Sequence, residues 1–189
     1  MFYERPILLL VALLCTFCTY SQDIKFSPVS TRDFNFSKIN IDTTEGAIVI
    51  SEIGSGTIEG TKYQTYSFFY RVHKRILILS KNALDLAKVE FYLYKNENEQ
   101  EEKVEKLNAV TYNLVDGKIE ETVLGKDDVF KTKIDKRHTI EKFTMPNVKE
   151  GSIIDYSFTL KSDFLSHIRP WYFQSRYPKL WSEYSLDYP

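Results

Sequence analysis

FTMPNVKEGSIIDYSFTL, Phe143 to Leu160, decides the fold. Pro146-Asn147 and Lys149-Glu150-Gly151 are turn formers, and a period-2 pattern follows them. Ile154, Tyr156, Phe158 and Leu160 fall on one side and Asp155, Ser157, Thr159 and Lys161 on the other, the alternation of a strand with one buried and one wet face. A turn feeding a half-buried strand is the unit from which an antiparallel sheet is built.

The same unit recurs in both directions. KVEFYLY, Lys88 to Tyr94, alternates Val89, Phe91 and Leu93 against Glu90, Tyr92 and Tyr94. AVTYNLVDGKIEETVL, Ala109 to Leu124, carries Asp116-Gly117 between two β-rich runs, which predicts a hairpin closed by a type I′ turn, because Asp and Gly tolerate positive φ. VFKTKID, Val129 to Asp135, and HTIEKFTM, His138 to Met145, are two further short strands. AIVISEIG, Ala47 to Gly54, is expected to be a strand closed by a turn at Gly54-Ser55-Gly56. YQTYSFFYRVHKRILIL, Tyr63 to Leu79, predicts one long, bent strand in which Tyr66, Phe68, Tyr70, Val72, Ile76 and Ile78 share a parity interrupted by Lys74. A helical turn is expected over Asn82 to Lys88 and a last strand over Ser182 to Tyr188, while Asp23 to Thr44 is irregular with room for one strand. Turn signals recur at about the 8 to 12 residue spacing of sandwiches and barrels. The expected fold is all-β or β-rich: an antiparallel β-sandwich-like module with little helix.

Composition agrees. The 189 residues suffice for one domain with a core, and 15% aromatic residues suit a pleated, half-buried surface. Lys plus Arg number 25 against 26 Asp plus Glu, so no global field draws in nucleic acid or an anionic membrane. The densest charge run, ENEQEEKVEK from Glu97 to Lys106, has both signs and reads as a solvated loop or strand connection. The chain opens MFYERPILLLVALLCTFCTYSQDIKF: Arg5 in a short polar start, an apolar run from Ile7 to Cys18, then Thr19-Tyr20-Ser21. This is the pattern of a secretory signal peptide over residues 1–21, since the run is shorter than the about 20 residues of a spanning helix. Cys15 and Cys18 are the two cysteines and both leave with it, so the mature chain, a single domain from residue 22 to 189, has no disulfide or thiol nucleophile. Leu14 and Phe17 stand before them where a lipoprotein signal takes a small residue. Export follows, to the periplasm, cell surface or medium, with no stable membrane span after cleavage.

Candidate sites are few. His73, His138 and His167 lack metal-ligand spacing, and neither a metal nor a cofactor is expected. Gly54-Ser55-Gly56 lacks the G-x-S-x-G spacing of a nucleophile elbow. Glu120-Glu121 and Asp127-Asp128 are paired carboxylates, but strand neighbours point to opposite faces and cannot act as an acid and base pair. Arg71, Lys74 and Arg75 are a candidate basic strip beside Tyr70. No catalytic residue is assigned. Trp171, Tyr172 and Trp181, with Phe173 beside them, are the candidate ligand-binding residues: either a stacking platform for a glycan or an extended peptide, or part of the core or of an interdomain seam.

Three segments carry a family resemblance: V-H-K-R-I at Val72 to Ile76, P-x-V-x-x-G-S-I-I-x-Y at Pro146 to Tyr156, and W-x-F-Q from Trp171 followed by Pro178 and Ser182-Glu183-Tyr184. With these, the chain from Ala47 to Pro189 resembles the N-terminal domain of unknown function that precedes a transglutaminase-like domain in secreted bacterial proteins. The resemblance implies a β-sandwich-like module, continued by further strands and a cysteine-protease-like core bearing Cys, His and Asp. It makes this chain a non-catalytic module, truncated at its C-terminal end, whose partner is the transglutaminase-like domain of the same polypeptide. None of that core's residues maps onto a position here. The alternative is a stand-alone carbohydrate- or peptide-binding sandwich using exposed aromatics.

Overall fold

The structure is a computed structural model and describes residues 27–35, 43–60, 65–98, 100–166 and 168–187. The proposed signal peptide, Cys15, Cys18 and His167 lie outside the described residues. Nine strands are described: β1 Ala47–Gly60, β2 Tyr66–Ile78, β3 Lys88–Tyr94, β4 Lys103–Val115, β5 Lys118–Val123, β6 Phe130–Lys133, β7 His138–Thr144, β8 Ile153–Ser162 and β9 Ser182–Asp187. They form a six-stranded sheet in the order β5-β4-β8-β2-β1-β9 and a three-stranded sheet in the order β3-β7-β6. All pairings are antiparallel except that of β1 with β9. The fold is therefore β-rich, as the alternation predicts, with a parallel strand at one edge that alternation cannot reveal.

The inner faces of the two sheets enclose the core. Ile76 and Ile78 of β2 and Ile154 and Leu160 of β8 are all but fully buried against Phe91 and Leu93 of β3 and Phe143 of β7. Phe91 meets Phe158 edge-on with ring centroids 4.6 Å apart. Burying each of these large apolar side chains contributes about 1.5–3 kcal/mol, which orders strands whose hydrogen bonds alone offer little net stability.

Local sequence explains most boundaries. Asp116 and Gly117 take φ of 50° and 76° and close the β4–β5 hairpin. In the turn between β7 and β8, Asn147 and Gly151 take φ of 53° and 82°. That turn is pinned from beneath: buried Asn113 of β4 donates from Nδ2 to the Asn147 carbonyl at 3.0 Å and accepts from the Ser152 hydroxyl at 2.7 Å. The helical turn expected from Asn82 is a 3-10 turn, Lys81–Ala87.

Several expectations are corrected. β1 does not stop at Gly54 but runs on to Gly60; the glycines serve close packing, because a Cβ on Gly54 would lie 2.4 Å from the Trp171 ring and one on Gly56 2.8 Å from the Phe68 ring. The charge run is not wholly a solvated connection, since β4 begins at Lys103 and Glu102 is buried. The described part of the irregular N-terminal stretch holds a 3-10 turn, Thr31–Phe34. Asp127-Asp128 sits on another, Lys126–Asp128, so strand alternation does not apply there. The outer face of β8 is not wet throughout, for Asp155 and Thr159 are buried.

Candidate functional site

A register shift creates the most unusual surroundings in the module. Between Val49 and Ser51 the β1–β2 register slips by one residue, which exchanges the faces of β1. Ala47 and Val49 face the core upstream of the slip, and downstream the even residues Glu52, Gly54 and Gly56 stand opposite Lys74, Val72 and Tyr70. Lys74, which breaks the apolar parity of β2, thus points inward beside an inward carboxylate, Nζ to Glu52 Oε1 at 2.9 Å. Lys179, whose side chain is only 6% exposed, donates to the other oxygen of Glu52 and to the carbonyl of Tyr172. Two ammonium groups thus share one carboxylate at the edge of an apolar core. Ion pairing offsets the desolvation that isolated charges would suffer there.

Upstream of β9, residues 178–181 run along the edge of β1, with the Val49 N–H donating to the Pro178 carbonyl and the Leu180 N–H to the Val49 carbonyl, each at 2.9 Å, and residues 169–172 form a cover over the inner face. Trp171 stacks on Tyr184 of β9 with centroids 5.1 Å apart and planes 19° apart, and its Nε1 donates to the Ser182 hydroxyl at 3.2 Å. Tyr70 is the hub of the cluster, within 6.5 Å of the rings of Phe68, Phe158, Trp171 and Tyr184. Burial, with Tyr184 and Glu52 nearby, pushes its phenol up to about 12. Burial likewise drives the Tyr156 phenol well above the ordinary tyrosine range. Both are neutral hydroxyls at any physiological pH.

Between this cover and the edge of β3 opens an inner cleft of about 360 Å³, lined by Tyr70, Lys74, Tyr92, Tyr156, Arg169 and Tyr172 among others. Arg169 bridges it: Nη2 donates to the Tyr92 carbonyl at 2.8 Å and to Glu102 at 2.9 Å. Its Nε is buried and has no hydrogen-bond partner among the described residues.

The opposite face of the large sheet carries a second cleft, of about 440 Å³, over Ser55, Arg71, His73, Lys106, Ser157 and Glu183. Next to it on the same face, Asp155 accepts from Arg75 Nε at 2.6 Å and meets His73 Nε2 at 2.5 Å. Arg71 pairs with Glu59 at 2.6 Å. The basic strip expected of Arg71, Lys74 and Arg75 is thereby corrected: Lys74 faces the core, and all three cations are held by different carboxylates. Two of the histidines, His73 and His138, meet a carboxylate. Asp155 stands 82 positions from His73, so no local pattern signals it, whereas Asp135, at 3.0 Å from His138 Nδ1, is only three positions away and was legible. No group of histidine, cysteine and carboxylate side chains suited to a metal is found among the described residues.

The candidate ligand-binding aromatics part company. Trp171 turns inward onto Tyr184 and Gly54. Tyr172 is 69% exposed, Phe173 57% and Trp181 47%, and the Trp181 Nε1 donates to Glu183 of β9 at 3.2 Å. Tyr172, not Trp171, joins the inner cleft.

No protein-family model matches the chain, and no curated protein matches it. A solved structure from Parabacteroides distasonis, described as a "putative protease", overlays on 68% of this chain with a TM-score of 0.48 and 12% identity. The chain spans 24% of that protein's length.

Proposed function

We propose that the chain is a non-catalytic, exported β-sandwich module that positions or supports a transglutaminase-like domain. The observation that carries this reading is the apolar margin along β9 and the segment leading into it, where Tyr172, Phe173, Trp181 and Leu186 are each 46% or more exposed. β9 is also the edge strand there, with no neighbour on its outer side among the described residues. An apolar margin beside an open strand is the surface that a seam with a second domain covers. The motif resemblance names that domain, and the signal-peptide pattern supports export. No helix among the described residues is long and apolar enough to cross a membrane.

The test begins by reading the coding frame past Pro189 and purifying this chain with and without any domain encoded there. Hydrogen exchange across residues 172–187 is expected to slow in the longer protein. Unchanged exchange at those residues, or transglutaminase or peptidase turnover by the purified 189-residue chain, overturns the proposal.

A further inference from the structure

A third cleft, of about 410 Å³, lies where β4 and the end of β5 meet the segment leading into β6 and the inner face of β7. Leu107, Ala109, Leu124 and Val129 give it apolar walls, and each belongs to the core or packs against it. Glu141 of β7 lines it too. Its parity on β7 is that of buried Thr139 and Phe143, so it stands on the inner face, between Phe91 of β3 and Lys131 of β6. This half-buried carboxylate makes no hydrogen bond or ion pair with any described residue. Lys131, opposite it in register, is taken by Glu101 at 3.0 Å. Burial accordingly pushes the Glu141 carboxyl above its ordinary value of 4.5, with Lys131 opposing the rise and Glu101 adding to it.

Counted together, the charges around the cleft leave a negative excess. Lys131 and Glu101 cancel. Lys126, exposed at the rim, shares its 3-10 turn with Asp127 and Asp128, and Asp128 accepts from the N–H of Gly125, another lining residue, at 3.2 Å. Glu141 adds a further carboxylate. Among apolar side chains it forgoes hydration without gaining a partner. An ammonium on an aliphatic stem would give the carboxylate its donor and the walls their apolar cover.

We infer that this cleft binds a short-chain alkyl ammonium, its charged head received by Glu141 and its chain by Leu107, Leu124 and Val129. At about 410 Å³ the cleft has the size of a small-ligand pocket. None of its residues belongs to the β9 margin, so either proposal can fail without the other.

Titration of the purified chain with pentylammonium, followed by amide chemical shifts, tests it, with pentanol as the uncharged chain, methylammonium as the chainless charge and pentanoate as the chain of opposite charge. Pentylammonium is expected to saturate shifts at Leu107, Leu124, Val129 and Glu141 and to bind about tenfold more tightly than any control. Glu141→Gln should weaken pentylammonium about tenfold, leave pentanol unchanged and melt no lower than the parent, because no hydrogen-bond partner is lost. Lys126→Ala, at an exposed position, should tighten pentylammonium about twofold by removing a like charge from the rim. Absence of saturable binding, any control binding as tightly as pentylammonium, Glu141→Gln binding like the parent, or Lys126→Ala binding more weakly would each overturn the inference. The controls and Lys126→Ala decide it even should Glu141→Gln fail to fold.

Discussion

Trp171 and Tyr184 are stacked 5.1 Å apart, and Tyr184 is the β9 residue paired with Gly54 of β1, on which the Trp171 ring also rests. One indole thus fastens the parallel edge strand to the sheet, and the missing side chain at Gly54 is what admits it. Gly54→Ala should therefore destabilise through overpacking, by about 1–3 kcal/mol. Gly117→Ala makes a control of a different kind, because nothing lies within 4 Å of its Cβ site and only its φ of +76° opposes the change; about 1 kcal/mol is expected. Urea midpoints measure both, and only Gly54→Ala should also shift tryptophan emission.

The two tryptophans should separate sharply. Trp171→Ala removes a ring stacked within the aromatic cluster and should cost about 3 kcal/mol, whereas Trp181→Ala, at a site 47% exposed, should stay within about 0.5 kcal/mol of the parent. Equal losses in urea melts would contradict the inward placement of Trp171.

Asp155 holds both His73 and Arg75, and the Arg75 side chain is only 8% exposed. Asp155→Ala leaves that guanidinium buried without this carboxylate and should cost about 3 kcal/mol. His73→Ala spares the Arg75 pair and should cost about 1 kcal/mol. Thermal melts of the two variants at neutral pH provide the comparison.

Double-mutant cycles should rank the two lysines on Glu52. Lys179, 6% exposed, should couple to Glu52 by about 2 kcal/mol, and Lys74, 20% exposed, by about 1 kcal/mol. Equal couplings would mean that burial does not set the strength of these pairs.

Glu101 gives the pH dependence. Burial pushes its carboxyl up, but the Lys131 ammonium at 3.0 Å and the Thr139 hydroxyl at 3.0 Å outweigh it and hold the group below its ordinary value of 4.5. A carboxyl whose folded value is depressed stabilises the protein above the unfolded value, and that contribution vanishes as pH falls through the folded one. Glu101→Gln should therefore show a shallower loss of stability between about pH 5 and 3 than the parent in urea melts.

Much of this architecture was legible because it is local. The Asp116-Gly117 hairpin, the alternation of Lys88 to Tyr94 and the Pro146 to Gly151 turn each depend on neighbours within a dozen residues, and each strand forms where its pattern lies. Gly54 and Gly56 were misread as a turn because a glycine that admits a distant ring looks the same in sequence as one that admits positive φ. The inner cleft was illegible for two reasons. A one-residue slip after Val49 sets which side Glu52 occupies, and the partners lie far apart, Lys179 at 127 positions from Glu52 and Arg169 at 67 from Glu102. Only the break in parity at Lys74 hinted that a charge points inward.

The parallel pairing of β1 with β9 also sets an order of assembly. β1 and β2 are joined by a short connection and can zip as soon as both have been synthesised, but the other side of β1 waits for a strand that begins at Ser182. Pairings closed over so long a separation form slowly. During synthesis, β1 therefore presents a long row of unsatisfied backbone amides and carbonyls to the surroundings. In that interval the nascent sheet is open to capture by a foreign strand, and the arrival of Trp171 and Tyr184 is what ends it.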